Sequence, residues 1–148
     1  MQSLYSKIEL AARKAVLEAT GLDGDPVVRW SSKPEFGDFQ INAAMGLAKK
    51  LGEKPHDIAK KILENLDLTG LSKKEAEIAG PGFINVFLSN EALGGYAQEL
   101  LGDKNCGVST SSDPQRIVVD YGGANIAKEM HVGHLRSTVI GDSINRVL

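Results

Sequence analysis

Apolar residues recur at helical spacing from the start of the chain: Leu4, Ile8, Ala12, Ala15, Val16 and Ala19 line one face, and Gly21 follows as a C-cap. The run DPVVRW (25–30) predicts a short strand, with a Gly/Asp/Pro turn before it. Ile41, Ala44, Ala48 and Leu51 mark a second amphipathic helix, with Asp38 as its N-cap and Gly52 just past its end. Pro55 suits the first turn of a third helix, carried by Ile58, Ile62, Leu63 and Leu66. EAEIAGPGFINVFLS (75–89) predicts two extended stretches broken at Gly80-Pro81-Gly82. A fourth helix is expected from Asn90 to Leu101, with Leu93, Tyr96, Ala97 and Leu100 on its inner face and Gly102 closing it.

The texture then changes. GDKNCGVSTSSDPQR is rich in Gly, Ser, Asp and Pro and predicts a domain boundary. The apolar, β-branched IVVDY after it has the pattern of a buried parallel strand. A loop and a helix bearing Leu135, Val139, Ile140, Ile144 and Val147 follow. The predicted fold class is α+β. About four helices surround a small, mostly antiparallel sheet over residues 1–112. The first strand-loop-helix unit of a Rossmann-like α/β domain occupies 113–148. A lone unit of this kind cannot cover both faces of its strand, so its parallel neighbours are expected from further sequence. On that ground the chain is expected to be the opening part of a longer protein.

Composition narrows the classes without selecting one. The 148 residues are 42% hydrophobic and 24% charged, ordinary for a globular domain. No apolar run nears the roughly 20 residues that span a bilayer, and no signal peptide opens the chain, so a cytoplasmic protein without a membrane partner is expected. The single cysteine, Cys106, has no partner for an internal disulfide. Residues 1–113 hold 13 Lys/Arg against 16 Asp/Glu, so any RNA contact there must be a local patch.

The chemistry concentrates in DYGGANIAKEMHVGHLRST. This stretch sits where an α/β sheet binds ligands, beyond the carboxyl end of a strand and at a helix start. It is neither a Walker A loop nor G-x-G-x-x-G. His131 and His134 lie one turn apart and project from one side. Gly133 between them leaves that side bare for a flat base or ribose. Imidazoles placed there can donate to phosphoryl oxygens as charge develops, and Lys128 adds a mobile positive charge. The alternatives are helix-start residues without a role, or half of a metal site. For the latter, Glu129 and Asp142 give no zinc spacing, so no metal site is expected.

HVGH after a strand resembles the His-(small or aliphatic)-Gly-His signature of class I aminoacyl-tRNA synthetases. ANIAKEMHVGHLRST is similar to the form found in arginyl-tRNA synthetases, and the resemblance extends to FGDFQINAAMGLAKKLG and EIAGPGFINVFL near the N-terminus. It implies an arginine–tRNA ligase that activates arginine with ATP and transfers it to tRNA. His131, His134 and Lys128 would be catalytic. His131, Gly133 and His134 would bind ATP, and Asp120 and Asn125 would hold the backbone polar groups of the amino acid. The implied partners are tRNA(Arg), ATP with Mg2+ as substrate, and L-arginine. No tightly bound cofactor and no DNA are implied, and the parent is expected to be monomeric. Gly122-Gly123-Ala124 departs from the Ser-Ser-Pro expected before the asparagine and removes a serine hydroxyl contact. The guanidinium-recognising residues and a second ATP motif would lie beyond Leu148, so this chain alone is expected to be inactive.

In FINVFL, alternation puts Ile84, Val86 and Leu88 on a core face and Phe83, Asn85 and Phe87 on the other. Periodicity alone allows that second face to lie under a helix. The resemblance instead implies that Phe83 and Asn85 contact a D-loop base of tRNA, by stacking and an edge hydrogen bond, while Phe87 stays in the core. Lys49, Lys50, Lys60 and Lys61 are expected on a solvated helix face. The other readings considered are a nucleotidyltransferase of the same superfamily that makes no use of tRNA, and a free-standing RNA-binding module.

Overall fold

The computed structural model describes residues 2–108, 110–111, 113–123 and 125–148. The chain divides into two compact units, Met1–Ser109 and Thr110–Leu148. The expectations at Ala124 and at the 112 boundary fall on residues outside the described ones.

In the first unit, helix α1 (Leu4–Thr20) starts where the Ser3 hydroxyl accepts from the Ser6 N–H, and ends at left-handed Gly21. It buries Leu4, Ile8, Ala12, Ala15 and Val16, the stripe expected from spacing. Helix α2 spans Ala43–Leu51, and α3 spans Pro55–Glu64 with proline in its first turn. Both α1 and α2 pack on α3, whose Ile58, Ala59 and Ile62 are fully buried. Helix α4 (Asn90–Gly102) is capped by the Ser89 hydroxyl but buries no residue fully. Of its expected inner face, Leu93 and Ala97 are exposed, and Tyr96 packs against the core.

Four strands, β1 (Val28–Trp30), β2 (Phe39–Ile41), β3 (Glu77–Ala79) and β4 (Phe83–Val86), form an antiparallel sheet in the order β1-β2-β4-β3. One face carries Val28, Phe39, Ile41, Ile84 and Val86 into the helical core. Burying each such side chain contributes about 1.5–3 kcal/mol. Strand β2 corrects the sequence reading, which ran the second helix back to an Asp38 cap. The apolar-polar-apolar Phe39-Gln40-Ile41 fills the slot between β1 and β4, and the helix begins after Asn42. Asp38 instead ties β4 down. Its carboxylate accepts from the Leu88 N–H (2.7 Å), and its own N–H donates to Val86 O (2.8 Å).

The second unit contains helix α5 (Val132–Val147). The strand expected at IVVDY does not form. Residues 117–121 pair with no strand among the described residues, because a parallel strand needs a neighbour to bond. Leu135, Val139, Ile140, Ile144 and Val147 are correspondingly exposed, not the inner side expected of them. Gly141 alone is buried in α5, against Tyr121, whose hydroxyl lies 3.4 Å from Asp142 Oδ1.

Gly37 precedes Asp38 at φ 83° and ψ −159°, a region open essentially to glycine, and a Cβ there would stand 2.5 Å from Val86 O. Gly37→Ala should therefore destabilise the protein by about 1–3 kcal/mol in urea or thermal melts. Gly46→Ala, in α2 with open space around the added carbon, should stabilise it by about 0.5–1 kcal/mol. Equal effects at the two positions would contradict this account of the β2–β4 corner.

Candidate functional site

The sheet face away from the core is polar along one cross-strand row. Arg29 pairs with Gln40, Gln40 with Asn85, and Asn85 with Glu77, so one residue from each strand stands side by side. Gln40 Nε2 donates to Asn85 Oδ1 at 2.9 Å. Asn85 is 3% exposed at the floor of this face, and Phe83, one pleat away, is half-buried. Phe87 continues the same side of the strand. It is buried outside the main core cluster, under the ammonium groups of Lys73 and Lys74 at 5.7 and 3.8 Å from its ring centroid. Phe83 and Asn85 thus share a face with an aromatic and cationic end. Gln40, on a strand the sequence did not reveal, is the member of this group that sequence reasoning missed.

The second unit presents the histidines. His131 is the N-cap of α5 and His134 its third helical residue, with ring centroids 4.0 Å apart. His131 Nδ1 accepts from the Gly133 N–H (3.1 Å), and His134 Nδ1 accepts from the His131 N–H (3.2 Å). Backbone N–H groups can only donate, so both Nδ1 atoms act as acceptors. In the neutral rings the proton therefore sits on Nε2, leaving two donors beside the positive end of the helix dipole. The bare side expected over Gly133 is filled by the His131 ring itself, since a Cβ there would meet His131 Cε1 at 2.8 Å.

A concavity here is lined by Tyr121, Gly123, His131, Gly133, His134, Ser137 and Thr138. The structure thus brings His131, Gly133 and His134 together. Asp120, Asn125 and Lys128 do not line the concavity and are exposed. Asn125 Oδ1 is engaged locally, accepting from the Ala127 N–H at 2.9 Å. Ser137 and Thr138 carried no signal beyond their i+4 spacing from Gly133 and His134, to whose carbonyls their hydroxyls donate. Among the described residues no group of three or more His, Cys, Asp or Glu side chains could hold a metal ion.

Comparison with known proteins decides the family. The model of the arginyl-tRNA synthetase N-terminal domain matches residues 2–88, and that of the class I (R) tRNA synthetase catalytic domain matches 97–148. The chain belongs to the arginyl-tRNA synthetase family. The arginine–tRNA ligase of Actinobacillus succinogenes is 57% identical over 124 residues, 84% of this chain and 21% of that protein. The Vibrio campbellii arginine–tRNA ligase is 55% identical over 134 residues, 89% of this chain and 23% of that protein. The chain thus spans about a fifth of the length of the curated relatives it matches. The solved arginyl-tRNA synthetase from Plasmodium falciparum superposes with a TM-score of 0.73 at 32% identity, covering 99% of this chain and 28% of that one. The Thermus thermophilus enzyme gives 0.69 at 29% identity, covering 98% and 23%.

The capping arrangement predicts the tautomers. In long-range 1H–15N spectra of the neutral rings, His131 and His134 should both show protonated Nε2 and bare Nδ1. A dominant Nδ1–H form at either residue would contradict the reciprocal cap.

Proposed function

We propose that these residues serve arginine–tRNA ligation, with 1–112 as a tRNA-binding domain and 113–148 as the start of the catalytic domain. The observation that carries this reading is the pair of capped imidazoles, two donors 4.0 Å apart between ring centroids at the start of α5. In the first step the arginine carboxylate attacks the α-phosphorus of ATP and pyrophosphate leaves. In the second, a hydroxyl at the tRNA 3′ end attacks the carbonyl carbon of the adenylate and AMP leaves.

The Nε2–H groups of His131 and His134 donate to phosphate oxygens as negative charge builds in the first step. Preorganisation matters here: each ring is already held by a backbone N–H, so little reordering is needed as the charge develops. Lys128, exposed in the preceding loop, neutralises phosphate charge, while Asp120 and Asn125 hold the amino group and carboxylate of arginine. Mg2+ enters as part of the nucleotide substrate. On the other unit, Phe83 stacks on a D-loop base of tRNA(Arg) and Asn85 bonds its edge. The protein acts in the cytoplasm as a monomer, without DNA or a membrane. No helix among the described residues is long and apolar enough to cross a bilayer.

His134→Ala in the full-length enzyme should lower arginine-dependent ATP–pyrophosphate exchange by roughly one to three orders of magnitude. An unchanged rate would make the histidine purely structural. Asn85→Ala should weaken binding of tRNA(Arg) to this chain by about 1–3 kcal/mol. The loss should be much smaller on a transcript already changed at the contacted base, and equal losses on both would contradict an edge contact.

A further inference from the structure

We propose that Gln40 is a positioning residue for tRNA recognition, orienting the Asn85 amide so that its nitrogen, not its oxygen, meets the base. The inference rests on the reading of Asn85 as a D-loop contact. It takes that reading further, because it says which hydrogen-bonding group Asn85 offers and what fixes it.

An asparagine amide can be turned either way, and turning it exchanges a donor for an acceptor. A site that reads a base edge through one asparagine discriminates only if something sets the amide's direction. Here the row across the sheet supplies the direction. A cation, Arg29, stands at one end beside Gln40, and a carboxylate, Glu77, itself ion-paired with Lys74, stands at the other beside Asn85. Between these charges the two amide dipoles align head to tail. Gln40 Nε2 donates to Asn85 Oδ1 at 2.9 Å, which leaves Nδ2 as the donating end of the Asn85 amide.

Burial strengthens the constraint. Asn85 is 3% exposed, so its bond to Gln40 is poorly replaced by water. Among the described residues Asn85 Nδ2 finds no protein partner, and the one buried side-chain polar atom without a partner is Asn42 Oδ1. Asn85 Nδ2 is therefore the group of this amide left to donate. The base group it suits is an acceptor, a ring nitrogen or a carbonyl oxygen, on a base stacked at Phe83. The carbonyl oxygen of Asn85, bonded to Gln40, is withdrawn from the readout.

Gln40→Glu tests this directly. A carboxylate at position 40 can only accept, so Asn85 must turn its nitrogen toward it and show its oxygen to the base. Binding of tRNA(Arg) transcript to this chain should be compared for the wild type, Gln40→Glu, Asn85→Ala and the double variant, with melting curves confirming that each is folded. Gln40→Glu should weaken binding about tenfold or more in the wild-type background and have little effect in the Asn85→Ala background. If Gln40→Glu weakens both backgrounds equally, the added charge merely repels RNA and the positioning role is wrong. If Asn85→Ala weakens binding and Gln40→Glu does not, the inference falls while the Asn85 contact stands. If neither substitution weakens binding, the D-loop reading itself fails. Gln40→Met, which removes the bond without adding charge, should weaken binding less than Gln40→Glu but in the same background-dependent way. Full binding by Gln40→Met and Gln40→Glu alike would overturn the proposal.

Discussion

Strand β4 is bonded along both edges, to β2 and to β3, and its two faces have opposite tasks. Ile84 and Val86 go fully into the core, and Asn85 between them stands in the polar row with Gln40 and Glu77. A slip of one residue would bury the amide in the hydrophobic core and expose two branched aliphatic side chains. The core therefore fixes the register, and the register fixes which polar groups meet on the outer face. Gly37, Asp38 and the Asp38–Leu88 bond hold the end of this strand, where a side chain at position 37 would strike Val86 O.

The same economy appears at the start of α5. A helix N-terminus leaves donors that need acceptors, and here each histidine satisfies one of the first backbone N–H groups with Nδ1. The nitrogen that caps determines which nitrogen is left to donate. Ser137 and Thr138 turn their hydroxyls back to the carbonyls of Gly133 and His134, so the imidazoles are the outward donors of this turn.

Much of this was legible in the sequence because it repeats. The stripes of α1 and α3 run long enough for a period to show, and the alternation in FINV separates two faces over four residues. Strand β2 was not legible, because Phe39-Gln40-Ile41 is too short to show a period and Ile41 falls in phase with the helix that follows. Losing β2 also hid Gln40, whose partner Asn85 lies 45 residues away and becomes a neighbour only through register. His131 and His134 were legible as a pair from spacing, whereas their reciprocal bonds depend on backbone angles at the helix start. IVVDY carries a strand's composition, but composition cannot supply the parallel partner that a strand requires.

The most direct test of the two proposed recognition surfaces is a pair of NMR titrations of this chain, one with tRNA(Arg) transcript and one with ATP. The side-chain amides of Asn85 and Gln40 and the ring of Phe83 should shift with tRNA, and the ring nitrogens of His131 and His134 should shift with ATP. Shifts from tRNA confined to the lysine-bearing helices α2 and α3, with the Gln40–Asn85 pair unmoved, would contradict the account.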